Sequence, residues 1–336
     1  MGRRRGIAGG PSGLVLVDKP AGISSAAVVA RVRRVLGGVK AGHTGTLDPF
    51  ATGLLPLCLG EGTKLATYLT DADKSYEGVI RLGVSTDTYD RTGTVTSTAP
   101  VPAVDAATLA RIAAEMTGNV MQVPPSFSAI KKDGRPMYEL ARRGEAPEME
   151  ARPVRVDRVE FGDLGGGLVS VSVDCSKGFY VRSLARDLGE SLGCGAVLDE
   201  LQRTRVGRLR IEDATPLAAI EAEGGADLVL AALIRPDLAP AHLSRFEIGA
   251  REAADLRLGR QDALHRIPAG SPGEKVILVA GEDLVAVAAC DRKFWVLERV
   301  FGAPASSAPC PPAGIVYPPP VSKMEEEERN EANRRD

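Results

Sequence analysis

Strand-like and helix-like segments alternate irregularly between residues 13 and 192, and this order limits the folds open to the chain. Apolar or alternating runs predict strands at 13–17, 53–59, 76–84, 154–161 and 168–175. Apolar residues at helical spacing predict helices at 25–36, 63–69, 105–116 and 180–192. Regular strand–helix–strand units, which build parallel sheets, are not repeated. The pattern therefore predicts an α+β fold in which a mixed, mostly antiparallel sheet is flanked by helices.

The chain is predicted to contain two folded domains, since a length of 336 residues favours about two. Beyond residue 244 the pattern becomes a short helix at 250–258 followed by strands at 276–280, 284–289 and 294–300. The predicted division is a basic, flexible N-terminus at 1–12, a main domain at 13–243 with an exposed arm at 125–150, a small β-rich domain at 244–302, and a disordered tail at 303–336 that is proline-rich and then charged.

Cysteine, histidine and apolar residues are placed in ways that argue against metal and membrane binding. The five cysteines include no C-x-x-C pair, and the three histidines lie far apart. No apolar run reaches the eighteen or so residues needed to span a bilayer. We therefore expect a cytoplasmic protein without a metal ion or membrane partner.

Positive charges are clustered although the net charge is −2 and the pI is about 6.1. The overall balance argues mildly against a nucleic-acid partner, whereas a local basic face favours one. Alternatively, these charges only solvate the surface. The clusters are Lys131, Lys132, Arg135, Arg142 and Arg143; Arg152, Arg155 and Arg158; and Arg203, Arg205, Arg208 and Arg210.

The run Gly42 to Leu55, GHTGTLDPFATGLL, places one carboxylate, Asp48, among glycines and threonines. Pro49 biases Asp48 toward an extended conformation, so we expect the acid to be presented from a loop. Such an acid can be a nucleophile, a base or a metal ligand. Taken alone, an Asp-Pro pair more often forms a turn.

This run resembles the signature around the catalytic aspartate of the TruB family, the bacterial tRNA pseudouridine synthases of the T loop. Further motifs follow in the family's order, so the resemblance extends over about residues 13 to 210. They are GLVLVDKPAGISS (13–25), KSYEGVIRLGVSTDTYDRTG (74–93), VPPSFSAIKKDGRPMYELARRG (123–144), CSKGFYVRSLARDLG (175–189) and LDELQRTRVG (198–207).

The resemblance implies a pseudouridine synthase fold and a stand-alone enzyme that converts uridine 55 of tRNA to pseudouridine by base flipping, without metal or cofactor. It assigns catalysis to Asp48, pairs Arg182 with that acid, and lets Tyr76 stack on the uracil and take part in removing the C5 proton. It also implies a PUA-like RNA-binding module at 244–302. The simpler alternatives are a solvated Arg182 and an ordinary sheet tyrosine at Tyr76.

The remaining candidates are predicted to contact the RNA, and we expect the protein to be a monomer. Tyr180 and Leu201 match positions on the other side of the uracil pocket, although Leu201 could equally be a core residue. His43 is predicted to contact RNA, and Lys19 to order a loop or contact RNA. The predicted phosphate contacts are Lys131, Lys132, Arg135, Arg142, Arg143, Arg203, Arg205 and Arg208.

Three other functions stay open on the sequence alone. One is a non-catalytic module that binds or folds tRNA. Another is a guide-dependent relative that modifies rRNA within a ribonucleoprotein. The third is a metal-dependent hydrolase that uses Asp48, Asp87 and Asp90.

Overall fold

The computed structural model describes residues 10–127, 131–132, 135–136, 149–240 and 242–303. Its strands are β1 (Gly13–Lys19), β2 (Ala41–His43), β3 (Thr52–Leu59), β4 (Lys74–Leu82), β5 (Val84–Thr86), β6 (Val95–Thr98), β7 (Gly118–Gln122), β8 (Lys131–Lys132), β9 (Arg135–Pro136), β10 (Arg152–Gly165), β11 (Leu168–Cys175), β12 (Ala196–Val206), β13 (Leu209–Arg210), β14 (Thr215–Pro216), β15 (Ser244–Glu247), β16 (Lys275–Ala280), β17 (Asp283–Asp291) and β18 (Phe294–Val300). Its α-helices are α1 (Ser25–Val35), α2 (Ala66–Thr70), α3 (Ala106–Glu115), α4 (Val181–Ser191), α5 (Leu217–Glu221), α6 (Gly225–Ala231) and α7 (Ala250–Arg257), with 3-10 turns at Gly60–Leu65, Ile211–Asp213 and Asp262–Arg266.

Within the described residues, ten strands form one mixed sheet. Its central order is β14-β1-β3-β12-β4-β11-β10-β7, with β2 beside β3 and β13 beside β12. The pairs β1–β14 and β3–β12 are parallel, and the other pairs are antiparallel. The sequence-based prediction of a mostly antiparallel α+β sheet is confirmed.

Helices cover one face of this sheet because its strands present alternate apolar side chains to them. In α4, Leu184 and Leu188 lie four residues apart and are both buried in the main core. Burying a leucine side chain contributes about 1.5–3 kcal/mol. Strands β4 and β11 supply Ile80 and Val171 to the same core. This packing fixes the start of α4 beside the loop that carries Asp48.

A smaller sheet of order β15-β16-β17-β18 follows after residue 243 and packs against the larger sheet. Ile277 and Phe301 share a buried cluster with Leu16 and Tyr68. The Tyr68 hydroxyl donates to Glu298 at 2.9 Å. The predicted β-rich C-terminal region is confirmed, whereas the predicted domain boundaries and the PUA-like character stay predictions.

The structure differs from the sequence-based prediction in one strand, and most of the predicted arm is not described. Strand β12 was not predicted, although it lies in the middle of the large sheet. Most of the predicted arm at 125–150, with Arg142 and Arg143, lies outside the described residues, as do the N-terminus to residue 9 and the tail from 304. In the arm, β8 and β9 pair through their backbones.

None of the helices in the described ranges is long and apolar enough to cross a membrane.

Candidate active site

Asp48 lies in the loop between β2 and β3, as the glycines and Pro49 of this run predict. The neighbouring residue Leu47 is tied to helix α1 by Ser25: its amide donates to the Ser25 hydroxyl at 2.8 Å, and the hydroxyl donates back to the Leu47 carbonyl at 2.9 Å. Ser25 is fully buried. The carboxylate is therefore carried by a loop whose backbone is anchored next to it.

Lys19 holds the other side of this loop. Its ammonium group donates to the carbonyls of Pro20 (2.8 Å), Pro49 (3.3 Å) and Ala51 (2.5 Å), and the residue is fully buried. Burial lowers the pKa of Lys19 to about 8. Of the two predicted roles for Lys19, its position fits loop ordering and leaves no surface for RNA contact.

Arg203, on β12, is also buried, and this corrects the prediction that it contacts phosphates. Only 1% of Arg203 is exposed. Its guanidinium donates to the carbonyls of Leu54 (2.8 Å), Gly45 (3.2 Å) and Thr46 (3.5 Å). A guanidinium has five N–H donors, which lets Arg203 bind two carbonyls of the loop and one of β3 at the same time. Arg203 therefore orders the loop that carries Asp48.

Arg182, at the start of α4, pairs with Asp48 as predicted. Arg182 Nη2 donates to Asp48 Oδ1 at 3.2 Å, and Nε lies 2.9 Å from Oδ2 without pointing its hydrogen at that oxygen. The guanidinium also donates to the carbonyls of Thr88 (3.0 Å) and Phe127 (2.9 Å). Arg182 is 5% exposed, whereas the Asp48 side chain is 33% exposed. The pair is thus anchored on the arginine side and open on the carboxylate side.

A second carboxylate, Asp90, lies near Arg182; the sequence analysis considered it only as a metal ligand of the hydrolase alternative. Its Oδ2 is 3.7 Å from Arg182 Nη1. Its Oδ1 accepts from the Thr88 hydroxyl (2.9 Å), the Thr92 amide (2.9 Å) and the Thr92 hydroxyl (2.6 Å). The threonines on both sides of Asp90 were the available sequence signal, because they can satisfy a buried carboxylate locally. Asp48 and Asp90 thus both lie at ion-pair distance from Arg182.

Asp48, Tyr76, Tyr180, Arg182 and Leu201 meet around one cavity of about 300 Å³. The structure therefore brings together the residues that the sequence assigned to catalysis and to the uracil pocket. Side chains that the sequence analysis did not assign to this pocket also line it: Thr70, Lys74, Lys177 and Phe179.

The cavity perturbs its ionisable groups in ways that burial and charge explain. Burial raises the pKa of Asp48, opposed mainly by Arg182 and reinforced by Asp90. Burial also raises the pKa of Tyr76, opposed by Arg203, so its phenol is neutral near pH 7. The cavity thus offers a carboxylate paired with a guanidinium on one side and a neutral aromatic ring on another.

His43 and Arg205 do not line this cavity. Burial, reinforced by Arg203, lowers the pKa of His43, and its Nδ1 has no hydrogen-bond partner within the described structure. Arg205 donates to the Ser75 hydroxyl at 2.8 Å and to Asp174 at 3.1 Å. Their predicted RNA contacts stay predictions.

The same residues bear on the metal-dependent alternative. Within the described ranges, no three His, Cys, Asp or Glu side chains are grouped so that they could hold a metal ion. Asp48 and Asp90 both face Arg182. Asp87 is exposed, and its Oδ1 accepts from the Thr94 amide at 2.8 Å. Of the three aspartates of this alternative, Asp48 and Asp90 therefore pair with a guanidinium, and Asp87 stabilises a turn.

Comparison with known proteins identifies the family. The TruB family pseudouridylate synthase N-terminal domain matches residues 33–181, and the tRNA pseudouridylate synthase B C-terminal domain matches residues 182–237. A tRNA pseudouridine synthase B of Aromatoleum aromaticum is 47% identical over 271 residues, covering 80% of this chain and 85% of that protein. Another, from Geobacter sulfurreducens, is 38% identical over 301 residues, covering 86% of this chain and 99% of that protein.

A solved structure has the same fold. The crystal structure of a Cbf5–Nop10–Gar1 complex contains a chain that aligns with a TM-score of 0.65 at 25% identity, over 89% of this chain and 87% of that chain. The chain thus shares sequence with these relatives over most of its length, shares its fold with a solved structure, and has a pocket lined by residues of the motifs. The chain belongs to the TruB family of pseudouridylate synthases.

Proposed function

We propose that this protein is a stand-alone isomerase that converts the T-loop uridine of tRNA, position 55 in the tRNA convention, to pseudouridine. The observation that carries the proposal is the pocket in which Asp48 is paired with Arg182 and shares its lining with Tyr76. Relatives that match most of the chain are named tRNA pseudouridine synthase B, which supports tRNA as the substrate.

The reaction can be balanced with the groups of the pocket alone. The bond between N1 of the uracil and C1′ of the ribose breaks, the base turns, C5 bonds to C1′, and the C5 proton leaves while N1 gains one. Asp48 is the group to attack C1′, to add to the ring, or to act as the base toward a glycal intermediate. Arg182 keeps Asp48 ionised, and Tyr76 can stack on the base and help remove the C5 proton.

The target uridine has to leave its stack to enter such a pocket. Extrusion of a base costs a few kcal/mol, which contacts to the rest of the RNA must offset. The proposal assigns these contacts to His43, Arg205 and the basic residues of the arm. Binding would take place in the cytoplasm, and the protein would act as a monomer on one T stem-loop.

Two observations favour this proposal over its rivals. The relatives named tRNA pseudouridine synthase B are more similar in sequence to this chain than the chain of the Cbf5–Nop10–Gar1 complex is, which favours a stand-alone tRNA enzyme over one that works within a complex. Asp48 is partly buried, its pKa is raised by desolvation, and it is paired with Arg182, which favours catalysis over a passive RNA-binding module.

Tritium release tests the proposal. The lone chain would be mixed with a tRNA transcript that carries tritium at C5 of its uridines, with and without a chelator. We expect release of the label from one uridine per tRNA at the same rate in both samples. A non-catalytic binding module would release no tritium, a guide-dependent enzyme would release it only with added guide RNA, and a metal-dependent enzyme would stop with the chelator; each of these results would overturn the proposal.

A further inference from the structure

Lys74 is a buried lysine of the cavity to which the reaction above gives no role. It is the first residue of β4 and lies two residues before Tyr76, so both side chains point to the same face of the sheet. Both line the cavity that holds Asp48. Only 8% of Lys74 is exposed. Its ammonium group is thus placed in the wall of the pocket that the substrate base would enter.

The hydrogen bonds of Lys74 leave one donor unused. Nζ donates to the carbonyl of Thr70 at 2.9 Å and to that of Ala72 at 2.6 Å. A lysine ammonium has three N–H donors. No third acceptor is found within the described part of the chain. A buried donor without a partner is unfavourable, so an incoming oxygen atom would gain a hydrogen bond there.

The charged groups around Lys74 do not neutralise it. Arg203 approaches from β12 and repels it, and the Cys175 thiol faces it from β11. The two nearest carboxylates are paired elsewhere: Asp71 with Lys177 at 2.9 Å, and Asp73 with Arg155 at 2.6 Å. Burial and Arg203 lower the pKa of Lys74 to about 8. Keeping an ammonium group here has a cost that a bound anion or carbonyl oxygen would offset.

We propose that Lys74 is a substrate-contacting residue that donates its free N–H to an oxygen atom of the flipped nucleotide. This inference rests on the proposed function, since it takes the nucleotide in the pocket to be a uridine of RNA. The acceptor is either a carbonyl oxygen of the uracil or a non-bridging oxygen of the adjoining phosphate. A contact to the base would also help to select uracil, because cytosine presents an amino group where uracil presents O4.

Binding measurements with two proteins and two RNAs test the contact and identify the acceptor oxygen. Dissociation constants would be measured for wild type and Lys74→Met with two T stem-loop RNAs, one with uridine and one with an abasic site at the target. We expect Lys74→Met to weaken binding of the uridine RNA about tenfold or more, as for a hydrogen bond to a charged group. Loss of the effect with the abasic RNA identifies the base, and persistence of the effect identifies the phosphate. Unchanged affinity for both RNAs would overturn the proposal.

Controls separate the contact from a purely structural role. Lys74→Gln retains amide donors for the Thr70 and Ala72 carbonyls and covers the case in which Lys74→Met does not fold. Lys64→Met removes a lysine that is less buried than Lys74 and that donates to Glu61 and to the Val300 carbonyl outside the cavity. We expect Lys64→Met to lower the melting temperature and leave RNA affinity unchanged. A Lys74→Gln variant that loses stability but binds both RNAs like wild type would show that Lys74 only supports the fold.

The pH dependence gives a second readout. Lys74 is charged below its pKa of about 8 and neutral above it. If its charge contributes, kcat/KM of the wild type falls as the pH rises through 8, and the residual kcat/KM of Lys74→Met stays flat over the same interval. An equal relative fall of kcat/KM in both proteins would assign the loss of activity at high pH to Lys19, whose pKa is also about 8. That result would contradict a role for the Lys74 charge.

The outcome for the wild type separates the two proposals. If the wild type forms no pseudouridine in tRNA, the proposed function fails. If the wild type is active and Lys74→Met binds and reacts as the wild type does, only the inference about Lys74 fails.

Discussion

Replacing Arg182 by methionine removes the cation that holds Asp48 while keeping a side chain of similar length. The structure gives Arg182 two close approaches to Asp48, at 2.9 and 3.2 Å. A hydrogen bond to a charged group contributes about 1.5–3 kcal/mol. Only the 3.2 Å contact is a hydrogen bond, and one-third of the Asp48 side chain is exposed, so we take about 1.5–3 kcal/mol for the whole pair. At about 1.4 kcal/mol per factor of ten, turnover should fall about 10- to 100-fold.

The expected change is in chemistry rather than in RNA binding. Single-turnover rates on tRNA would be compared with the dissociation constant measured for the same RNA. We expect the rate constant to fall by the factor above while the dissociation constant changes less than about threefold, since Arg182 is 5% exposed. Arg182→Lys keeps the charge but not the planar fork, and should retain part of the rate. Thermal melting of both variants shows whether the fold is kept.

The pH profile gives the result that would refute this account. The proposed reaction uses Asp48 in its ionised form, so activity is expected above the pKa of Asp48 and is expected to be lost as the pH falls through it. Burial already raises this pKa, and Arg182 is the main influence that lowers it. In Arg182→Met the acid limb of kcat/KM should therefore move to higher pH. Near-normal turnover at neutral pH, or an unmoved acid limb, would show that Arg182 does not maintain the carboxylate.

Two further predictions concern groups that support the site. Asp90→Asn should slow turnover about tenfold with unchanged tRNA affinity, because it weakens the ion pair between Asp90 and Arg182. In the same single-turnover assay the control Asp87→Asn, in an exposed turn, should keep a rate within about twofold of the wild type. Equal rate losses in the two variants would contradict a positioning role for Asp90. Gly53→Ala should destabilise the protein by about 2–4 kcal/mol, since Gly53 has φ +99° and an added Cβ would lie 2.4 Å from the Arg203 carbonyl. Chemical denaturation would compare it with Gly38→Ala, where φ is +94° but no atom lies near the added Cβ, so that only the backbone strain of about 1 kcal/mol applies. Equal losses of unfolding free energy in the two variants would contradict the close approach at Gly53.

Much of the site could be predicted because its residues lie in long, ordered motifs. The glycines and Pro49 around Asp48 indicated a loop, and the structure has a loop there. Helical spacing of Leu184 and Leu188 indicated α4, which carries Arg182 to Asp48. In these cases the local preference and the final packing agree.

Strand β12 could not be predicted because its sequence does not alternate. Residues 199–205 are mostly polar, and a register shift between Leu198 and Glu200 interrupts the period of two. Of the residues of β12, only Ala196, Leu198, Leu201 and Val206 reach buried clusters. Position in the middle of the sheet, set by β3 and β4 on either side, decides the strand state against its composition.

The burial of Lys19 and Arg203 was equally invisible in the sequence. Charged residues are seldom fully buried, so a basic residue in a motif is first assigned to the surface or to a ligand. What retains these two inside is a set of backbone carbonyls from Gly45 to Leu54, most of them in the loop before β3, to which both side chains donate. Such carbonyls become recognisable only when the loop is folded.

Site-resolved mapping of pseudouridine in tRNA treated with wild type or with Asp48→Asn tests the central claim most directly. The substitution keeps the size of the side chain and removes the charge that faces Arg182. The account predicts pseudouridine at position 55 of the T loop with the wild type and none with Asp48→Asn, although both bind the tRNA. Conversion by Asp48→Asn at the wild-type rate, or conversion by the wild type at another position only, would contradict it.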